Sequence, residues 1–307
     1  MFSQKNGPGI SKEQAANRNF FDILSRHFGD ISKASLWYAL ANILFFAATY
    51  VLATAYFTQD NLVKIAVGFL NGEVVLLPIV PFLPLMLTGP FTAGLTFVTR
   101  NFAKEEHTFI RSDLFEHAKK NLGYALLTSV LTTLVAYLVL QALIVYNSFF
   151  LANGLPVGVL YTLFAVVTCL LVIMSYYIYP IMVTFRMNYK TILKNAWTFT
   201  ILKLPQNLFF FIILAAINVG AFYLCNFVIY MPFLWILLMC VFLTGFTSYT
   251  ANYYIWHVLN KYIVQYVTKK EKEEKVFSDD PWDAFDKANG GDHWETFHEV
   301  SDEDPSI

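Results

Sequence analysis

Side chains able to do chemistry are sparse in the apolar part of this chain, so their spacing is informative. In "LTGPFTAGLTFVTRNF" (87–102), Thr88, Thr92 and Thr96 recur every fourth residue around Gly89-Pro90, and Gly89, Ala93 and Gly94 cluster small residues beside them. Threonines at that spacing share one helix face. Their hydroxyls could bond carbonyls freed by the proline or line a polar seam. Gly89 with Ala93 forms a small-xxx-small pair that lets two helices approach closely. Together Thr88, Gly89, Pro90, Thr92, Ala93 and Gly94 read as a packing hinge that could border a ligand cavity. Elsewhere Asn42, Gln141, Asn218, Asn226 and Asn252 are the polar residues within or near apolar runs. Interhelical hydrogen bonding is their default role.

Catalytic signatures are missing. The chain has no HExxH, GxSxG, GxxxxGK[ST] or CxxC, which removes local support for metalloprotease, serine hydrolase, P-loop and redox readings. His27, His107, His117, His293 and His298 fall in polar segments, and His257 follows Trp256 at the end of an apolar run. Cys169, Cys225 and Cys240 lie within apolar runs without paired spacing and read as small packing residues. The expectation is therefore no catalytic, cofactor-binding or metal-binding residues and no enzyme activity. Coupled transporters keep ionisable groups at membrane depth. Here only Asp60, Lys64 and Glu73 approach that role, and they are expected to face outer water.

The elements that must position these residues follow from composition. The 307 residues are 57% apolar, 18% aromatic and 14% charged, with a mean hydropathy of +0.50. No charged residue occurs from Asn121 to Phe185 or from Leu204 to Asn260. Soluble surfaces need charge and lipid-facing ones exclude it. About 20 apolar residues cross a ~30 Å hydrocarbon core. The chain accordingly reads as an all-α, polytopic membrane protein with six transmembrane helices near 36–57, 74–99, 122–146, 158–184, 205–229 and 232–256. Tyr38 and Tyr56 bracket the first span, and Trp235 and Trp256 the last. Alternate connecting segments carry 20 of the 21 basic residues, which by the positive-inside rule puts both termini in the cytoplasm. The first apolar run is too long for a signal-peptide core and is expected to act as a signal anchor.

Flanking the spans, residues 1–16 read as flexible. Residues 17–33 read as an amphipathic helix in the cytoplasmic interface, with Phe20, Leu24, Phe28 and Ile31 on one face. Pro78, Pro81, Pro84 and Pro90 rule out a straight second helix and predict a broken outer portion near 78–84. Two further basic, partly apolar helices are expected after spans two and four. Arg100, Arg111, Lys119, Lys120, Arg186, Lys190 and Lys194 would there face lipid headgroups. The layout of span, interfacial helix, span then repeats in parallel. Beyond a charged helical extension over 261–275, residues 276–307 hold ten acids and one lysine and read as a disordered tail. Within it "DPWDAFD" and "DHWETFH" share a D-x-W-acid-x-F pattern. Trp282, Phe285, Trp294 and Phe297 could dock on a partner, or on the protein's own basic face.

The proline-rich span ending in "LTGPFTAGLTFVTRNFAKEE", followed by "DLFEHAKKNLGYALL" and "YYIYPIMVTFRMNYKTILKNAWTF", resembles the YesL family of bacterial integral membrane proteins over most of residues 18–267. The resemblance implies a small multi-span protein of the bacterial cytoplasmic membrane with no assigned function, accompanying carbohydrate-uptake systems of the ABC type. The expected role is a non-enzymatic accessory or scaffold, whose partners are the lipid bilayer and ABC-transporter subunits and do not include nucleic acid. The alternative is a stand-alone transporter or permease component whose path borders the proline-broken second span.

Overall fold

In the computed structural model, residues 19–71, 78–152, 158–228 and 231–264 are described. Those residues are helical throughout, with short connections and no strand among them. In chain order, α1 is Phe20–Tyr56, α2 Gln59–Leu70, α3 Gly89–Ala103, α4 Ile110–Lys120, α5 Leu122–Ala152, α6 Gly158–Thr184, α7 Tyr189–Leu202, α8 Leu204–Tyr223, α9 Pro232–Leu238 and α10 Thr244–Leu259. A 3-10 helix, Val80–Thr88, precedes α3, and π-helical turns occupy Leu224–Val228, Met239–Leu243 and Asn260–Val264. Six helical stretches are long and apolar enough to cross a membrane: Phe20–Tyr56, Val80–Ala103, Leu122–Tyr146, Thr162–Thr184, Leu204–Phe227 and Phe233–Tyr262. By contacts the chain divides into two units, Met1–Trp256 and His257–Ile307. The first contains everything described below. The aromatic tail motif at Trp282, Phe285, Trp294 and Phe297 lies outside the described residues, as do residues 1–16, Glu73 and nearly all of the charged extension.

The amphipathic segment and the first span form one uninterrupted helix. α1 has 37 residues, about 55 Å at 1.5 Å per residue, far beyond a ~30 Å hydrocarbon core. Nothing between Asp30 and Trp37 breaks a helix, and Gly29 is tolerated at an open position. Its first turns do not lie alone. Ile23, Ile31 and Ala34 join Leu95, Val98, Phe102, Ala103, Leu114 and Tyr249 in a buried cluster of α1, α3, α4 and α10. The buried face therefore runs through Ile23 and Ile31, while Phe28 stays exposed, its ring tilted against that of Phe242 at 4.9 Å between centroids.

The broken portion of span two is a 3-10 helix, with Pro81 in its first turn and Pro84 inside it. Tighter i to i+3 bonding, as in Phe82 N–H to the Ile79 carbonyl at 2.9 Å, accommodates residues that cannot supply an N–H. Gly89-Pro90 marks the change to α-helix. Pro90 falls in the first turn of α3, where its missing N–H has no intrahelical partner to lose. At this junction the Leu85 carbonyl accepts hydroxyls from Thr88 at 2.8 Å and from Ser129 of α5 at 3.2 Å.

Glycines set the helix spacing. A Cβ on Gly89 would lie 2.2 Å from the Ala125 carbonyl oxygen, one on Gly94 2.2 Å from that of Leu114, and one on Gly245 2.6 Å from that of Ile31. Backbone thus meets backbone where α3 packs on α5 and α4, and where α10 packs on α1. Along the chain, α3–α4–α5 and α6–α7–α8 each set a short helix between two long apolar ones. The short helices are buried along one side, α4 through Leu114 and Ala118 and α7 through Ile192, Ala196, Phe199 and Thr200.

Candidate functional site: an uncharged polar cavity

Thr92 and Thr96 face a half-open cavity of about 300 Å³ lined by residues of α1, α3, α6, α8 and α10. Thr92 lies halfway along the Val80–Ala103 span. Tyr38 enters from α1, Ser175, Tyr176 and Tyr179 from α6, Asn218 from α8, and Thr244, Thr247, Ser248 and Asn252 from α10. Eleven of the fifteen lining residues carry a hydroxyl or amide, and none carries a charge.

Local helix chemistry determines which atoms this wall presents. In an apolar helix a Ser or Thr hydroxyl donates back to its own helix three or four residues earlier. Thr92 donates to the Thr88 carbonyl at 3.1 Å, Thr96 to Thr92 at 2.8 Å, and Ser175 to Val172 at 2.7 Å. Thr244 donates to Met239 at 2.9 Å. With these four hydrogens committed, the Thr92, Thr96, Ser175 and Thr244 oxygens keep lone pairs and act as acceptors in a wall whose remaining surface is largely apolar.

The π-helical turn Met239–Leu243 shapes the α10 side. Its extra residue re-registers the helix, so that the Met239 carbonyl serves Thr244 and the Ser35 hydroxyl at 3.3 Å. The Gly245 N–H then donates to Ser35 Oγ at 3.2 Å. Turns of this type concentrate at functional sites because they re-aim side chains without ending a helix. Below them Asn252 Nδ2 donates to Thr99 Oγ1 at 2.9 Å and to the Ser248 carbonyl at 2.9 Å, and Thr99 and Ser248 share a 2.9 Å hydroxyl contact. Asn252 is 3% exposed, and its Oδ1 has no protein partner. An unpaired buried carbonyl is costly unless a ligand or water supplies a donor.

The residues singled out in sequence separate into three groups. Thr92 and Thr96 line the cavity, whereas Gly89, Ala93 and Gly94 are buried in helix contacts and Thr88 bonds within its own turn. Asn218 lines the cavity and donates to Thr247 at 3.3 Å, while Asn226 is turned to its own helix through the Phe222 carbonyl. Arg111, Lys119, Lys120, Arg186, Lys190 and Lys194 are exposed. Arg111 sits over the Trp37 ring at 5.0 Å, and Lys120 pairs with Glu116.

Arg100 departs from the headgroup-facing expectation. It is 8% exposed, donating to the Val183 carbonyl at 3.0 Å, to Thr184 Oγ1 at 3.1 Å and twice to Asn101 Oδ1, with its guanidinium 4.6 Å from the Phe97 ring centre. The cause is the end of α6. The last carbonyls of a helix lack intrahelical partners and carry partial negative charge, which a planar five-donor cation satisfies without a carboxylate. Tyr38 turns toward the bundle and meets Thr92 Oγ1 at 3.3 Å.

Asn207 was not a candidate in sequence, yet it holds the second polar centre. Its Oδ1 accepts the Tyr177 and Tyr254 hydroxyls at 2.7 Å each, and its Nδ2 donates to the Phe199 and Thr200 carbonyls at 3.0 and 3.1 Å. One amide thus ties α6 and α10 to the end of α7. A readable signal for the cavity's α10 wall did exist: "LTGFTSYTANYY" (243–254) is unusually hydroxyl-rich for a span. No three His, Cys, Asp or Glu side chains group as a metal site among the described residues.

Neither a protein-family model, nor a curated protein, nor a solved structure matches this chain.

Proposed function

We propose that the protein is a non-enzymatic, multi-pass component of a bacterial cytoplasmic membrane that receives a small, uncharged, hydroxyl-bearing solute in its central cavity. It would act as an accessory to a carbohydrate-uptake system of the ABC type, with both termini cytoplasmic. The observation that carries the solute class is the lining, an apolar wall set with hydroxyl and amide groups and without charge. A volume near 300 Å³ belongs to the small end of ligand sites. A charged solute would enter without a counter-charge on the wall, at heavy desolvation cost, whereas a polyol or monosaccharide brings the donors that the threonine, serine and Asn252 oxygens lack. The accessory role rests on the family resemblance of the span-two and span-four segments.

The test is equilibrium binding to the purified protein in mild detergent, comparing neutral monosaccharides and polyols with sugar acids. Saturable binding of a neutral member, abolished by Ser248→Leu in the wall, supports the reading. Equal or better binding of the acids refutes it. A second reading, a stand-alone permease, is favoured by the cavity's mid-span position between a 3-10 segment and a π turn, because discontinuous helices commonly flank transport sites. Solute flux into vesicles containing only this protein would select it. Tagged protein that retains ABC subunits through purification, and loses them without residues 276–307, would select the accessory role.

A further inference from the structure

A second cavity is lined by fewer polar groups. Between α5 and α6, and closed at one end by α7, runs a groove of about 340 Å³. Leu131, Val135 and Val139 form one side, Leu171 and Ile178 the other, and Leu193 the end. The α6 wall runs from Thr168 to Ile178, about 15 Å at 1.5 Å per residue, which is one leaflet of a ~30 Å hydrocarbon core. The volume is more than twice the ~150 Å³ of an apolar cavity that holds benzene.

The groove's end has a polar and cationic rim. Tyr189 reaches Thr128 Oγ1 at 3.1 Å, and since the Thr128 hydrogen goes to the Tyr124 carbonyl at 2.8 Å, Tyr189 is the donor. On α7, Tyr189 and Leu193 line the groove, and the next residue after each is an exposed lysine, Lys190 and Lys194. Residues four apart share a helix face, so the two ammonium groups flank the rim together. The chain has no Asp or Glu between Glu116 and Glu271. No acid lies on α5, α6 or α7, so neither lysine has a counter-charge on the helices that form the groove.

We propose that this groove seats one acyl chain of an anionic phospholipid, its phosphate held by Lys190 and Lys194. The site is separate from the polar cavity and does not depend on the solute reading. Each lysine close to an anionic surface contributes about a fivefold factor, so the pair gives a preference on the order of twentyfold for an anionic over a zwitterionic headgroup at low salt.

Native mass spectrometry of the full chain, exchanged from detergent with phosphatidylglycerol or phosphatidylcholine, tests this. The expected result is one phosphatidylglycerol retained per chain with at least a tenfold preference. Lys190→Gln with Lys194→Gln, at exposed positions that leave folding intact, should reduce the preference to near unity. Ala136→Trp, which fills the groove, should remove retention of both lipids. Equal retention of the two lipids by the unaltered protein, an unchanged preference in the lysine variant, or undiminished retention in a folded Ala136→Trp would each overturn the proposal.

Discussion

Replacing Asn207 by leucine should destabilise the protein by about 2 kcal/mol. The side chains are similar in size, so the effect isolates polarity. Asn207 is 2% exposed and makes four hydrogen bonds, to the hydroxyls of Tyr177 and Tyr254 and the carbonyls of Phe199 and Thr200. The Phe199 carbonyl keeps a second donor, the Lys203 N–H at 3.2 Å, and the three other groups, the Tyr177 and Tyr254 hydroxyls and the Thr200 carbonyl, each lose the bond to Asn207. In a soluble core each unsatisfied group costs about 1–3 kcal/mol. Within membrane proteins the average is nearer 0.6 kcal/mol, because the unfolded chain also finds partners. Three such losses give about 2 kcal/mol, a roughly 30-fold change in the unfolding equilibrium. Reversible unfolding in mixed micelles measures it, and a double-mutant cycle with Tyr177→Phe separates the hydroxyl contact from the rest. The coupling should be about 0.6–1.7 kcal/mol. A variant within ~0.5 kcal/mol of the original protein, or strict additivity with Tyr177→Phe, would refute the idea that this amide ties α6, α7 and α10.

At Gly89, even alanine puts a Cβ 2.2 Å from a backbone oxygen, so Gly89→Ala should cost about 1–3 kcal/mol of overpacking. Gly220→Ala, where a Cβ meets nothing within 4 Å, should be neutral or slightly stabilising by the same unfolding assay. Arg100→Lys should fail to rescue the loss seen in Arg100→Leu, because an ammonium cannot span Val183, Thr184 and Asn101 at once; comparable stability of the lysine variant and the original protein would count against the fork. Burial, followed by Lys120, holds the His117 imidazole below its usual 6.5, with the ring stacked on Phe97. The folded state therefore favours the neutral ring. Its contribution is complete above pH 6.5 and is lost as pH falls through the lowered folded-state value, where the unfolded chain binds more protons. An NMR titration midpoint at or above 6.5 would contradict this. Single cysteines at Lys119 and Lys194, in a background lacking Cys169, Cys225 and Cys240, should be labelled only from the cytoplasmic side, as the basic-loop asymmetry requires; outside labelling would invert the topology.

Composition and periodicity alone determined the six apolar spans and the breaks between them, because exclusion of charge from hydrocarbon acts locally, residue by residue. The proline at position 90 likewise announced a discontinuity, since a missing N–H is a property of one residue. What those signals could not carry was direction around each helix. Thr92 and Thr96 share a face in any helix, but that the face meets Tyr38, Asn218 and Ser248 across one cavity depends on five helices packing together. In a span that is apolar all round, no amphipathic stripe marks which side is inside. Arg100 shows the same limit. As a basic residue ending a span it looked like a headgroup contact, and only the proximity of the last carbonyls of α6, 83 residues later in sequence, gave it enough acceptors to be buried. Asn207 is the converse case, an ordinary residue in a charge-free run until Tyr177, Phe199 and Tyr254 converge on it. Sequence settled what enters the membrane because lipid tests every residue separately; tertiary structure settled where the polar groups meet, because a hydrogen bond needs two partners that only packing brings within 3 Å.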